Sequence, residues 1–333
     1  MMRGHNTYNR DNFIFRDLYT KIKIGTASDR YAGWIGQIYT SGRYKTSKRN
    51  NKVGNKSFTE EVLPVESVVE YFQHFSVLEI DFTFYRPLLD KDLKPTSNYK
   101  ILQSYYRYLK DSDRLILKVP QVIFAQKLWT AGKHTDNPNY LNTDMFINQF
   151  YDPANAILGE NLGGFIFEQE YLRKADRVPS TKYIHDLEGF LSELPKDNRY
   201  HIETRTEFYH TKPYFELLSK HGIGHVLSHW TWLPPLRKQF IKAGKQFYNS
   251  GRQCIIRLLT PLRVKYNESY KQAFPFDKMV QGMMNPEMIP DTVEIMKAGI
   301  KEGVGVNVIL NNRAGGNAPL IARELTSKFL ESW

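Results

Sequence analysis

A single cysteine, Cys254, in 333 residues leaves this chain without an internal disulfide and without a cysteine-based zinc site. A reducing compartment is the natural setting for so few thiols. Long apolar runs are also missing: none approaches the roughly 20 residues that a bilayer-crossing helix needs. The polar N-terminus, MMRGHNTYNRDNFIFRD, lacks the apolar core of a secretory leader. The expected location is therefore cytoplasmic, with no membrane partner. HExxH, Walker and GxGxxG patterns are absent, which removes the usual signs of a zinc hydrolase, a P-loop site and a dinucleotide fold. Internal repeats, low-complexity tracts and long linkers are absent too, so nothing divides the chain into separate domains.

Hydrophobic residues at 41% and charged residues at 24% describe a globular chain able to bury one large core. The formal charge of +11 points to an anionic partner, a small molecule or a nucleic acid. Much of it falls in two acid-free runs. One is RYKTSKRNNKVGNK, from Arg43 to Lys56; the other holds Arg237, Lys238, Lys242, Lys245 and Arg252 among Phe240, Phe247 and Tyr248. Such mixtures can track a phosphate backbone and stack on bases. They equally describe a solvated loop and a helix whose aromatics turn to the core.

Eight short apolar runs with strand character recur between longer helical patterns. They are Ile22–Thr26, Val77–Asp81, Leu115–Val119, Gly164–Glu168, Tyr200–Thr204, Ile223–Ser228, Cys254–Leu259 and Val306–Leu310. The gaps are too long for hairpins and carry helix signals, so the strands are expected to be parallel. A helix is expected over 145–158, disturbed by Asp152 and Pro153, and two helical pieces over 260–303, broken near Pro286 and Pro290. The pattern predicts a (β/α)8, TIM-barrel-like α/β domain over 21–333, with residues 1–20 as an N-terminal extension and a basic insertion after strand one. A doubly wound open sheet is the alternative.

In such a barrel the functional groups gather at the carboxyl ends of the strands. Glu79 and Asp81 share a face of strand two by alternation, and Phe84, Tyr85 and Arg86 follow in its exit loop. Trp34 follows strand one, Lys118 ends strand three and Glu168 ends strand four. Strand five carries Glu203 and Arg205 on one face; strands six, seven and eight bring His229, Arg257, and Asn311 with Asn312. Glu79, Asp81 and Glu203 are the expected catalytic acids and bases, Glu203 kept ionised by its cations. The rest are expected to bind substrate, Trp34, Phe84 and Tyr85 by stacking. Oxygen ligands from Glu79, Asp81, Glu168 and Glu203 suit a divalent metal, but the arginines and Lys118 compete for the same oxygens, so none is assigned. The turn glycines Gly315 and Gly316 precede a helix whose N-terminus could take a phosphate.

The motifs IGTASDRYAGW at 24–34, LEIDFTFYRP at 78–87, LILKVP at 115–120, LGGFIFEQ at 162–169, YHIETR at 200–205, IIRL at 255–258 and NNRAGGNAP at 311–319 together resemble the domain of unknown function 72, or YecE-like, family. The resemblance implies a TIM barrel with Glu79, Tyr85, Arg86, Lys118, Glu203, Arg205, Arg257 and Asn311 in its pocket. This chain departs from the family pattern at Ala27–Asp29, at 168–171, at His229 and at Leu259. The leading expectation is a hydrolase or lyase acting on a phosphorylated or nucleic-acid-like anion. The alternatives are a non-catalytic nucleic-acid binder using 43–56 and 237–252, and a carbohydrate-active enzyme.

Overall fold

The computed structural model describes residue 9 and residues 11–130 and 133–332, so the first eight residues of the polar N-terminal segment lie outside it. The parallel barrel strands are β1 Ile22–Ala27, β2 Val77–Ile80, β3 Arg114–Lys118, β4 Leu162–Gln169, β5 Tyr200–Thr204, β6 in two pieces (Gly224–His225 and Leu227–His229), β7 Gln253–Leu258 and β8 Gly305–Leu310. The first piece of β6 pairs with β5 and the second with β7. Between them, Val226 N–H donates to Ile202 O at 2.9 Å. The sheet's two ends therefore meet at Val226, and the expected barrel, rather than the open sheet, is what forms.

Alternation along these strands builds the interior in layers. Ala27, Val77, Ile116, Ile166, Val226, Ile255 and Ile309 form one buried apolar cluster drawn from seven of the eight strands. Two residues further along β2, β3, β4, β6, β7 and β8 stand Glu79, Lys118, Glu168, Ser228, Arg257 and Asn311. An apolar floor thus lies directly under a polar layer, and it keeps water from reaching those charges from below. On β5, Glu203 stands in register with Glu168. His201 is held at the opposite end, where a Cβ on Gly224 would come within 2.1 Å of its ring.

Outward-facing strand residues pack against the crossover helices, among them α1 Val68–His74, α2 Ser97–Tyr106, α3 Asp152–Leu158, α4 Ser180–Glu193, α5 Lys212–His221, α6 Leu236–Lys242, α7 Met288–Glu302 and α8 Ala318–Glu331. The expected break at Pro290 does not occur. Pro290 falls in the first turn of α7, where its missing N–H costs nothing, and α7 runs on to Gly303, which takes φ 71°. The expected 145–158 helix passes through a π-helical stretch, Ile147–Tyr151, immediately before Pro153. Proline removes a donor from the ladder there, and the wider turn absorbs the defect. Residues from the N-terminal extension pack on the barrel: Phe15 is fully buried and Arg16 pairs with Asp113 at 2.9 Å.

Two hairpins stand on the face where the strands end. The basic insertion is not a loop but an antiparallel pair, Ser47–Val53 with Lys56–Val62, in which Lys48 faces Glu61 and Arg49 faces Glu60. It is anchored by Val53 and Phe58 against Tyr270, Phe274 and Phe276. A second hairpin, Lys127–Thr130 with Lys133–Asp136, follows β3.

Just past β1, Asp29 is 2% exposed; its Oδ1 accepts from Tyr105 OH at 2.7 Å and its Oδ2 has no partner. Burial pushes this carboxyl up to about 6, against the opposing Tyr105 hydrogen bond and the Arg30 charge. The native state therefore prefers the proton, and stability is lost as pH rises through 6. Asp29→Asn is expected to stabilise the protein at pH 8 by about 1–3 kcal/mol. The gain should shrink to about a third near pH 4.5 and vanish only below the ordinary carboxyl value of about 4, where the unfolded chain is protonated too. Urea unfolding at the two pH values checks this; an equal gain at both would place its cause elsewhere.

Candidate active site

Arg257 is the hub of the polar layer. Its side chain is 2% exposed, and it donates from Nε to Glu79 Oε2 at 2.7 Å and from Nη2 to Glu79 Oε1 at 2.5 Å. Its Nη1 bonds Glu168 Oε2 at 3.1 Å and also Glu203 Oε2. Glu168 takes Arg205 as well, through Oε1 at 2.8 Å, and Lys118 at 2.7 Å. Arg205 Nε reaches Glu203 Oε1 at 3.0 Å, and Ser228 Oγ donates to the same oxygen at 2.8 Å. Lys118 completes the set with Asp81 at 3.4 Å. Four carboxylates, Glu79, Asp81, Glu168 and Glu203, thus face three cations, Lys118, Arg205 and Arg257.

The charges divide by reach. Glu79 and Glu203 are wholly buried, whereas the Asp81 side chain is 31% exposed and that of Arg205 16%. Solvent therefore meets the layer at its Asp81–Lys118–Arg205 edge. Burial raises the Glu79 carboxyl, and the Arg257 guanidinium only partly offsets this, with the Asp81 charge adding to the rise. For Asp81, burial is outweighed by Lys118, Arg257 and Arg313, and it is held low. Burial of Glu168 is likewise outweighed by Arg205, Lys118 and Arg257, and burial of Glu203 by Arg205 and Arg257. The two acids of strand two are pushed apart, one towards holding a proton and one towards staying ionised.

An aromatic rim surrounds that edge. Lys118 Nζ sits 3.8 Å over the Phe84 ring, and the Arg205 guanidinium 4.8 Å over Trp230. Tyr171 packs between Trp230 at 6.1 Å and Trp232 at 5.7 Å. Tyr85 is 70% exposed and Trp232 43%. Sequence reasoning assigned Phe84 and Tyr85 but passed over Tyr171, Trp230 and Trp232; the loop HWTWLPP, directly after β6, was the available signal.

Other expected site residues lie elsewhere. Trp34 is fully buried, stacked on Tyr39 at 6.4 Å, and its Nε1 donates to Asn312 Oδ1 at 3.0 Å, so it offers no face to a ligand. Asn312 also accepts from Ala318 N at 2.8 Å, which makes its side-chain oxygen a brace for the start of α8. Arg86 is exposed and makes none of the layer's ion pairs. His229 follows Ser228 on β6 and so turns outward, its Nδ1 within 2.9 Å of Thr260 O. Asn311 sits at the rim, with Oδ1 accepting from Arg313 N at 3.0 Å. Gly316 is packed so closely that a Cβ would lie 2.3 Å from Lys278 O, which accounts for it without a phosphate. Among the described residues no group of three or more His, Cys, Asp or Glu is arranged to hold a metal ion. None of their helices is long and apolar enough to cross a membrane.

The two basic runs are interleaved with acids from elsewhere in the chain. Arg43 pairs with Glu70 at 2.6 Å, Arg49 with Glu60 at 3.2 Å, Arg237 with Glu294 at 3.4 Å and Lys242 with Glu207 at 3.2 Å. Phe240, on α6, is 4% exposed and faces the core. A recess of about 1130 Å³ opens on the opposite face of the barrel, beside Tyr151, Asp197, Arg199 and Tyr200. Of its two carboxylates, Glu160 and Asp197, the second is engaged by Arg199 and by Tyr151 OH.

A parallel eight-strand barrel with a layer of paired acids and cations across its carboxyl-end mouth defines this protein as a TIM-barrel protein. The chain belongs to the family described as protein of unknown function DUF72, whose model matches residues 23–332. Among solved structures it is similar to a DUF72 family protein of Thermotoga maritima, at 16% identity over 93% of this chain and 99% of that one, with a TM-score of 0.58. It is also similar to a DUF72 family protein of Enterococcus faecalis, at 15% identity over 93% and 95% of the two chains, with a TM-score of 0.56. At these identities the likeness is one of fold. No curated protein matches the chain.

Proposed function

We propose that this protein is an enzyme acting on a polyhydroxylated ring, a carbohydrate in the broad sense, bound across the Asp81–Lys118–Arg205 edge. The observation that carries this reading is the pairing within the layer. Lys118, Arg205 and Arg257 each already hold a carboxylate, and within the layer the acids outnumber the cations four to three. An anion binding there would have to break buried ion pairs, at a cost of several kcal/mol. Hydroxyl groups donate to carboxylates and accept from Lys and Arg, so they can join such a layer without disrupting it. Phe84, Tyr85, Trp230 and Trp232 supply the flat apolar faces that a sugar ring's C–H surface needs. Asp81, ionised and reachable, is the base that takes a proton from a substrate hydroxyl; the Lys118 ammonium beside it stabilises the oxyanion left behind.

Tryptophan fluorescence tests the reading, because Trp230 and Trp232 border the site. Pentoses and hexoses are expected to change the emission saturably, and Asp81→Asn to weaken their binding about tenfold or more, the worth of a hydrogen bond to a charged group. A single-stranded DNA oligonucleotide that changes the emission with a steep salt dependence, where sugars do nothing, would replace this reading with nucleic-acid binding.

A further inference from the structure

Among the described residues, Arg313 is a cation at the barrel mouth that no carboxylate claims. It follows β8 in the 3-10 turn Asn312–Ala314, its backbone N–H is fixed by Asn311 Oδ1, and its guanidinium lies 4.5 Å over the Tyr266 ring. Lys118, Arg205 and Arg257 each have a carboxylate oxygen within 3.0 Å. Among the described residues Arg313 has no such ion pair, although its positive charge reaches Asp81, Tyr31 and Tyr85.

Its Nε–H is shut off from water and has no acceptor. A buried donor on a charged group is costly to leave unpaired. The neighbouring residue repeats the pattern. The Asn312 amide is oriented unambiguously, because its Oδ1 accepts from both Trp34 Nε1 and Ala318 N, and its Nδ2 is then a second buried donor without an acceptor. The protein thus satisfies the acceptors of this loop and leaves donors over, one of them on a planar cation held flat by an aromatic ring.

We infer that Arg313 receives an anionic substituent, a carboxylate or a phosphate, carried by the ring that lies over the Asp81 edge. This rests on the carbohydrate reading above and narrows it to acidic sugars, uronates or sugar phosphates. The division of labour follows from the charges. The layer, whose cations are spent on its own acids, handles hydroxyls, and Arg313, whose guanidinium donors no acceptor among the described residues holds, handles the charge.

Titration calorimetry on the full chain with glucose, glucuronate, glucose 6-phosphate and inorganic phosphate decides it. Glucuronate or glucose 6-phosphate should bind roughly tenfold or more tightly than glucose, as a charge-assisted bond requires. The tighter of the two shows which anion the site takes. Arg313→Gln should bring both to the affinity of glucose, and Arg313→Lys, which keeps the charge but loses the fork, should fall between. An anion preference that Arg313→Gln leaves intact overturns the assignment. Glucose binding with no anion advantage also overturns it and leaves the carbohydrate reading standing. Inorganic phosphate bound through Arg313, with no sugar bound, upholds Arg313 as an anion receptor and discards the ring. No binding by any of the four overturns both.

Discussion

An Arg257→Met protein is expected to lose at least about 4 kcal/mol of stability at pH 8, because the substitution breaks a buried multi-acid pair instead of replacing it whole. The wild-type layer sets four acids against three cations; without Arg257 it sets four against two. Glu79 suffers most, since the ion pair it makes is with Arg257, through both oxygens, and its side chain is fully buried. Its carboxyl already stands above the ordinary range through burial, and losing the guanidinium can only raise it further. The native mutant should therefore take up protons that the unfolded chain does not. Its deficit should shrink as pH falls from 8 towards 5. Adding Glu79→Gln removes the stranded charge, and the double variant should recover about 1–3 kcal/mol relative to the sum of the two single changes. Denaturant unfolding of all four proteins at both pH values is the measurement. A loss below 1 kcal/mol, flat with pH, would mean that these carboxylates do not depend on the guanidinium.

That pairing is also where the sequence stopped being informative. The barrel was legible because six strands step from an apolar inward residue to a polar one two positions on, as in Val77 to Glu79 and Ile255 to Arg257. Alternation is a local property, and a strand's inward positions can be read from it. Which acid meets which cation is not local: Arg257 and Glu79 lie 178 residues apart, and only ring closure brings them together. So Lys118, Arg205 and Arg257 read as anion binders competing for the pocket's carboxylates, but which carboxylate each one holds could not be assigned. Trp34 read as a stacking surface because it follows a strand end, yet the segment after β1 folds down against Tyr39 and the start of α8. The hairpin at 47–62 was hidden by its polarity, since an antiparallel pair lying mostly on the surface has no strong hydrophobic alternation to betray it.

His225→Phe should stabilise the protein, and by more at pH 5 than at pH 8. Burial drives His201, His210 and His229 down to about 4, against the hydrogen bonds to Arg199 O, Thr204 O and Thr260 O that oppose it. His225 also lies well below its ordinary value, through burial and the neighbouring His210, and neither of its ring nitrogens has a partner. A depressed native value means that the unfolded chain takes up the proton first. Stability is therefore fully present above pH 6.5 and drains by about 1.4 kcal/mol per unit and per histidine as pH falls towards 4. Asp29, Glu79 and Glu170, all raised by burial, drain in the other direction and offset part of this. Phenylalanine at 225 keeps the ring among His210 at 5.0 Å, Phe215 at 5.3 Å and Tyr214 at 5.9 Å, and it removes both unsatisfied nitrogens. Its advantage over the wild type should grow by about 2 kcal/mol between pH 8 and pH 5, read from urea midpoints. Parallel stability curves across that range would mean that the native imidazole is protonated or hydrated. The dry packing of α5 against β6, beside the join at Val226 that closes the barrel, would then have to be abandoned.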